Sequence, residues 1–198
     1  MGNFGVERGE KVVYSVCMKR ILVLMAPGFE EIELTAPVDI LRRLGVEVVL
    51  AGVKGLQTEG AHGITMQADM LLEEADAGAF DGIVLPGGAA SWLLRDTETV
   101  LQLVREMNAA GKLVAAICAA PIALEAAGVL AGRHITCYPA DAVTNDIPSA
   151  ASISNAPAVT DGNIVTGRGP GAALEFGFAL GAYFGLEVDA LRREMCAC

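Results

Sequence analysis

One cysteine stands where a strand-forming run meets a helix-forming one. Leu113 to Ile117 is apolar and β-favouring, and Ala119 to Ala127 favours helix until Gly128 stops it. Cys118 at that junction, flanked by Ala116, Ala119 and Ala120, fits a nucleophile elbow, a cramped strand-to-helix turn that presents a nucleophile at the end of a sheet. A thiol there faces the positive end of a helix and its unpaired amides, which favours the thiolate, the form that attacks carbon. The Gly87-Gly88 pair lets a backbone amide approach closely, so the N–H groups of Gly88 and Ala119 can donate to a developing oxyanion. Glu30, Glu31 and Glu33 follow the first strand, and helical spacing puts Glu30 and Glu33 on neighbouring faces without choosing among the three. A carboxyl beside a thiolate is a like-charge pair that shares a proton, with the carboxyl protonated and donating to sulfur, and it shuttles that proton without a histidine. On residue types alone Cys118 equally suits an inert core position, and the glycine pair an ordinary turn.

Other candidate chemistry is thinner. There are two histidines and five cysteines, with no Cys-x-x-Cys pair, so no metal site is expected. The terminal Cys196-Ala-Cys198 reads as a frayed tail. Gly167-x-Gly169 faintly echoes a dinucleotide fingerprint, but Ala172 replaces the third glycine and Glu187 follows no strand, so the stretch reads as a helix entry with Pro170 in the first turn.

The elements that must position these groups alternate. Ile21 to Met25 is a strand closed by Pro27-Gly28. Glu30 to Leu44 has helical apolar spacing and stops at Gly45, and Val46 to Val53 is β-branched. Leu56 to Met66 reads as a small hairpin, and Gly82 to Leu85 as a buried strand ending at Pro86-Gly87-Gly88. Thr97 to Ala110 is helical with Asp96 as its cap. Ile135 to Cys137, Ala158 to Thr160 and Ile164 to Thr166 are short strands, the last two joined at Asp161-Gly162, and Ala172 to Phe184 is a closing helix. The alternation predicts a single-domain α/β fold, a doubly wound and mostly parallel sheet with helices on both faces, and ligands at the carboxyl ends of its strands. The domain is expected over residues 19–198, with 1–18 a disordered extension and Met18 an alternative start.

Composition agrees. Hydrophobic residues make up 53% and charged residues 19%, as a sheet buried on both faces requires. A net charge of −10 repels phosphate backbones and anionic bilayers, so neither nucleic acid nor membrane is an expected partner. No apolar run reaches the roughly 20 residues that span a bilayer. The odd cysteine count and the absence of a secretory core point to a reducing, cytoplasmic setting.

Taken together, Pro27-Gly28-Phe29-Glu30-Glu31-Ile32-Glu33, Leu85-Pro86-Gly87-Gly88, Ala115-Ala116-Ile117-Cys118-Ala119-Ala120-Pro121 and the late Thr166-Gly167-Arg168-Gly169-Pro170-Gly171 resemble the ThiJ/PfpI superfamily, over about residues 19 to 185. The cysteine segment is similar to the Parkinsonism-associated deglycase branch. The resemblance implies a flavodoxin-like fold related to class I glutamine amidotransferases, Cys118 as nucleophile and Glu33 as its carboxyl partner. It matches the position of a histidine near the site in some relatives to Tyr138. It leaves His134, which starts that strand, to a packing or surface role, because four residues at strand rise is more than ~12 Å. Gly87 and His62 are further pocket candidates. Arg43 becomes one through a homodimer contact at the first helix. The implied activity is a cofactor-independent glyoxalase or protein deglycase acting on methylglyoxal, glyoxal or their adducts through a hemithioacetal. Two alternatives are an oxidative-stress sensor or redox chaperone working through Cys118, and a PfpI-type amidase or peptidase. The last departs from the pattern at Ala119, where those relatives carry histidine, and would need His62 or a partner chain to complete a dyad.

Overall fold

A computed structural model describes residues 18–197, so all of the expected N-terminal extension except Met18, together with Cys17 and Cys198, lies outside the described residues. In chain order, β1 (Arg20–Met25) leads into α1 (Glu31–Arg43) and β2 (Glu47–Gly52), then a hairpin of β3 (Gln57–Glu59) and β4 (Thr65–Gln67), and β5 (Met70–Leu71). β6 (Gly82–Leu85), α2 (Ala90–Arg95), α3 (Glu98–Ala109) and β7 (Leu113–Ile117) follow, then α4 (Pro121–Ala126), β8 (His134–Thr136), α5 (Asp141–Thr144) and β9 (Ser152–Ser154). β10 (Ala158–Asp161) and β11 (Ile164–Gly167) precede α6 (Ala173–Tyr183) and α7 (Val188–Glu194).

The main sheet has seven strands in the order β10-β11-β7-β6-β1-β2-β5. Every pairing in it is parallel except β10 with β11, the hairpin anticipated at Asp161-Gly162. Strands buried on both faces must be apolar throughout, and β6 and β7, GIVL and LVAAI, are buried at every position. Helices α1 and α6 pack together over one face, while α2, α3 and α4 pack over the other. The expected doubly wound architecture is therefore present. No helix among the described residues is long and apolar enough to cross a membrane.

Winding runs from β1 outward to β2 and β5, then returns to β6 on β1's other side. The strand order thus reverses between β1 and β6, and the crevice at their carboxyl ends is where such sheets bind ligands. The loop after β1 and the loop after β6 meet there. Phe29 bridges Gly88, and the Glu30 N–H donates to the Gly87 carbonyl at 3.1 Å.

Two expectations need correction. Asp96 does not cap α3; it closes α2, and its carboxylate is held by Arg95 at 2.7 Å. Thr97 occupies the cap position of α3 without capping it, its Oγ1 donating instead to the Leu93 carbonyl at 2.6 Å. The helix expected from Ala119 begins only at Pro121, because residues 118–120 form a tight turn.

Close packing of α6 on α1 depends on Gly177. A Cβ there would lie 2.7 Å from Ile40 Cδ1 and 3.1 Å from the Pro37 Cα. Gly177→Val is expected to push the helices apart and cost about 1–3 kcal/mol in chemical denaturation. An unchanged midpoint would show that the two helices are not in tight register.

Candidate active site

The Cys118 backbone sits at φ 63°, in the left-handed region that a side chain seldom adopts. Two hydrogen bonds hold it there: its N–H donates to the Gly167 carbonyl at 2.9 Å, and its carbonyl accepts from the Tyr138 N–H at 2.8 Å. Strained backbone fixed by its surroundings is the signature of the anticipated elbow. Cys118 is 8% exposed and opens onto a cavity of about 210 Å³, which is also lined by Gly88, Ala119, Trp92, Tyr138 and Val143.

Glu33 comes to the same point from α1. It is fully buried, and its Oε2 accepts from the Gly87 N–H at 3.0 Å. Among the described residues its Oε1 is buried without a hydrogen-bond partner. Pro37, four residues along α1, has no N–H to give the Glu33 carbonyl. Gly87 is the hinge of the arrangement: a Cβ there would collide with Glu33 Oε2 and lie 2.6 Å from the Cys118 Cβ. Only glycine lets carboxyl and cysteine share this space.

The two acids shift each other. Burial raises the Glu33 carboxyl from 4.5 to about 7, with the charge of Glu30 adding to the effect while the Cys118 and Gly87 bonds oppose it. Burial, then the charge and hydrogen bond of Glu33, push the Cys118 thiol up to about 12, against the amides of Gly88 and Ala119, which donate toward it. Between those limits the pair holds one proton. Oε2 already accepts from Gly87, so Oε1 is the oxygen free to carry that proton and to donate. The helix-end argument for a freely ionised thiolate therefore does not hold. The sulfur faces a turn rather than a full helix, and burial and Glu33 outweigh the amides, so below about 12 sulfur is ionised only while Glu33 carries the proton.

The neighbouring glutamates point elsewhere. Glu30 caps its own helix, its Oε2 accepting from the Glu33 N–H at 2.8 Å. Burial would raise Glu31, but the ring and backbone N–H groups of His62 hold it down to about 2. The His62 Nδ1 lies 2.8 Å from Glu31 Oε2 and its N–H 2.7 Å from Oε1, so His62 fastens the β3–β4 hairpin to α1 and does not line the Cys118 cavity. Glu30, Glu31 and His62 offer three donor atoms within 4.8 Å, the one such group among the described residues, yet Glu31 is already occupied by the hairpin. His134 is exposed and bonded to Ser152 Oγ at 2.8 Å. Arg43 stands at the far end of α1, about 15 Å from Glu33 at helical rise, and pairs with Asp39 at 2.8 Å and Glu194 at 3.8 Å, so within this chain it does not reach the cavity. Tyr138 does, as a half-exposed wall. Sequence reasoning misses Trp92, which lies on the unanticipated α2, a helix of six residues too short to show periodicity.

A left-handed cysteine at a strand end with a buried carboxyl beside it places the chain among doubly wound α/β proteins that carry a cysteine at a strand-to-helix turn. The chain belongs to the DJ-1/PfpI family, whose sequence pattern it matches over residues 19–182. It is 37% identical to the protein dj-1beta of Drosophila melanogaster over 160 residues, 80% of this chain and 85% of that one. It is 40% identical to a deglycase of Pyrococcus abyssi over 153 residues, 77% and 91% of the two chains. The crystal structure of a cysteine-to-alanine mutant of a DJ-1 superfamily protein from Salmonella typhimurium superposes with a TM-score of 0.83 at 35% identity, covering 90% of this chain and 98% of that one.

Replacing Glu33 tests the shared proton twice. In wild type, alkylation of Cys118 against pH is expected to rise in two phases bounded by about 7 and about 12. In Glu33→Gln a single phase should fall between them, and superimposable profiles would exclude the coupling. Because the folded carboxyl is raised above its unfolded value, this group stabilises the fold below about 4.5, and that contribution is lost as pH rises toward about 7. Denaturation of Glu33→Gln should accordingly gain on wild type as pH is raised from 4.5 to 8.

Proposed function

We propose that the chain is a cofactor-independent, cysteine-dependent glyoxalase or deglycase acting on methylglyoxal, glyoxal or their adducts. Cys118 is the nucleophile and Glu33 the proton carrier. The observation that carries this reading is the fully buried Glu33 carboxyl, with Oε1 unpartnered, beside a cysteine at the mouth of a small cavity. A space of about 210 Å³ is below the roughly 300–1,000 Å³ of sites for drug-sized ligands. No charged side chain lines it, so a few-atom neutral carbonyl suits it. The kinship with a deglycase of Pyrococcus abyssi supports the same reading.

In this scheme sulfur adds to the aldehyde carbon while the proton held by Glu33 passes to the aldehyde oxygen, giving a hemithioacetal and an ionised Glu33. The Gly88 and Ala119 amides hold the oxygen as charge develops on it. Glu33 then removes the carbon-bound proton and returns it to the adjacent carbon. A second proton passes between the two oxygens, and the product is a thioester of the hydroxy acid. Water cleaves the thioester, releasing hydroxy acid and restoring thiol. A carboxyl poised near neutrality serves as acid in the first step and base in the second.

A second reading has one observation in its favour. The unpartnered Oε1 can donate to an oxidised sulfur as well as to a thiolate, and peroxide would convert the sulfur to sulfenate and a second equivalent to sulfinate. An intact-mass gain of two oxygens confined to Cys118, without turnover of methylglyoxal, favours that sensor role. The amidase reading loses its in-chain dyad, since His62 is engaged by Glu31 and His134 by Ser152.

Cys118→Ser is expected to abolish lactate formation from methylglyoxal, and Glu33→Gln to lower it by about 10²–10⁴-fold. Undiminished turnover in Cys118→Ser would sink the mechanism. In wild type kcat/KM should climb as pH passes about 7, when the pair loses its first proton, and then stay level through the alkaline range.

A further inference from the structure

Beside the Cys118 cavity lies a second, larger one of about 370 Å³, and Tyr138 is the wall the two share. Its other walls differ in kind. Pro139, Pro157 and Pro170 stiffen it, and Arg168 brings a guanidinium to it. No acidic residue lines it. Among the described residues Arg168 makes no ion pair; its side chain donates to the neutral Oδ1 of Asn155 at 2.6 Å. By contrast Arg20, Arg95, Arg133 and Arg192 each have a carboxylate oxygen within 3.3 Å. In a chain of net charge −10, a partly buried cation facing a carboxylate-free cleft is an exception with a use.

The backbone ties this cation to the nucleophile. Arg168 follows Gly167, which pairs with Ile117 across the sheet and whose carbonyl accepts the Cys118 N–H at 2.9 Å. The Arg168 N–H is in turn fixed on the Pro157 carbonyl at 3.0 Å. A guanidinium has five donors in a rigid fork, and Asn155 takes only one, leaving a face that matches a carboxylate.

We propose that this second cavity is an anion subsite of the Cys118 site, in which Arg168 receives the carboxylate of a substrate whose reacting carbon lies at Cys118. The substrate class is then a small carbonyl adduct that carries a carboxylate several bonds from the reacting carbon, such as a dicarbonyl-modified amino acid. A bare dicarbonyl would fill only the inner cavity. The inference rests on the reading above for the position of the reacting carbon.

Alkylation of Cys118 tests it without turnover. The probes are N-iodoacetyl-β-alanine, whose carboxylate trails the reacting carbon by five bonds, and neutral N-propyl iodoacetamide, with rates taken by intact mass and the site confirmed by peptide mapping. The anionic-to-neutral rate ratio is expected to fall about tenfold in Arg168→Gln, and to be largely retained in Arg168→Lys, while the neutral probe reacts within about twofold of wild type in both. A ratio unchanged in Arg168→Gln overturns the subsite, as does a neutral-probe rate that falls in step with the anionic one, since Arg168 would then act only by holding the loop. Charge-selective alkylation in a protein that fails to turn over methylglyoxal would leave the subsite standing and overturn the glyoxalase reading alone.

Discussion

A carboxyl and a thiol that are both buried, and that touch through a gap only glycine can leave, impose the constraint from which the rest of this site follows. Each would be ionised more readily alone in water; Glu33 opposes the ionisation of the thiol, while the thiol's hydrogen bond favours that of the carboxyl. The proton they hold in common cannot be dispersed by solvent. It has two places to reside, on sulfur or on Glu33 Oε1, because Oε2 is already committed to the Gly87 amide. Around the pair the polarising groups are main-chain amides, of Gly87 toward the carboxyl and of Gly88 and Ala119 toward the sulfur. Such donors do not rotate away, so the field they exert is present before any substrate arrives.

The fold supplies this arrangement by bringing three strand ends side by side. β1, β6 and β7 are adjacent; the helix that follows β1 carries the carboxyl, and the segments that leave β6 and β7 carry the glycine pair and the cysteine. Strand pairing alone would not put Glu33 against Cys118. The Phe29–Gly88 bridge and the Glu30-to-Gly87 bond lace the first two loops together, and the Cys118 backbone is bent into the left-handed region to complete the contact. Such strain and a buried acid both cost stability, and the apolar sheet beneath, closed by helices on two faces, must offset them. Function here is taken out of the reserve that the core provides.

Much of this is legible in the residues, and the part that is not has physical reasons. The strands themselves and the elbow follow from apolar runs and small neighbours, which are local signals. The choice among Glu30, Glu31 and Glu33 is not local. All three lie in one helical turn, and only the long-range partners separate them: the helix's own amides for Glu30, the hairpin histidine for Glu31, and Gly87 with Cys118 for Glu33. His62 escapes sequence reasoning for the same reason, since a glycine-rich hairpin gives no hint of where its tip docks. The ionisation of Cys118 escapes it because a sequence shows a helix start but not the three-residue turn that precedes it, nor how completely the carboxyl is buried. Short helices such as α2 and α5 carry too few residues to display a period.

Charge explains how one pair can serve on a strongly acidic protein. A net charge of −10 disfavours anionic substrates at long range, yet screening confines that penalty to roughly 10 Å in ordinary salt. Within that distance the local groups decide. On the side of α1 are Glu30 and Glu31, engaged by the helix amide and the hairpin histidine, and Glu33, turned inward with its Oε2 on the Gly87 amide. On the side of Tyr138 and Arg168 no carboxylate lines the open space. A reacting molecule that enters from the Tyr138 side therefore meets an uncharged inner wall at the sulfur and a cation behind it. Under the proposed subsite, that polarity would orient an adduct with its carbonyl toward the sulfur and its anionic end outward.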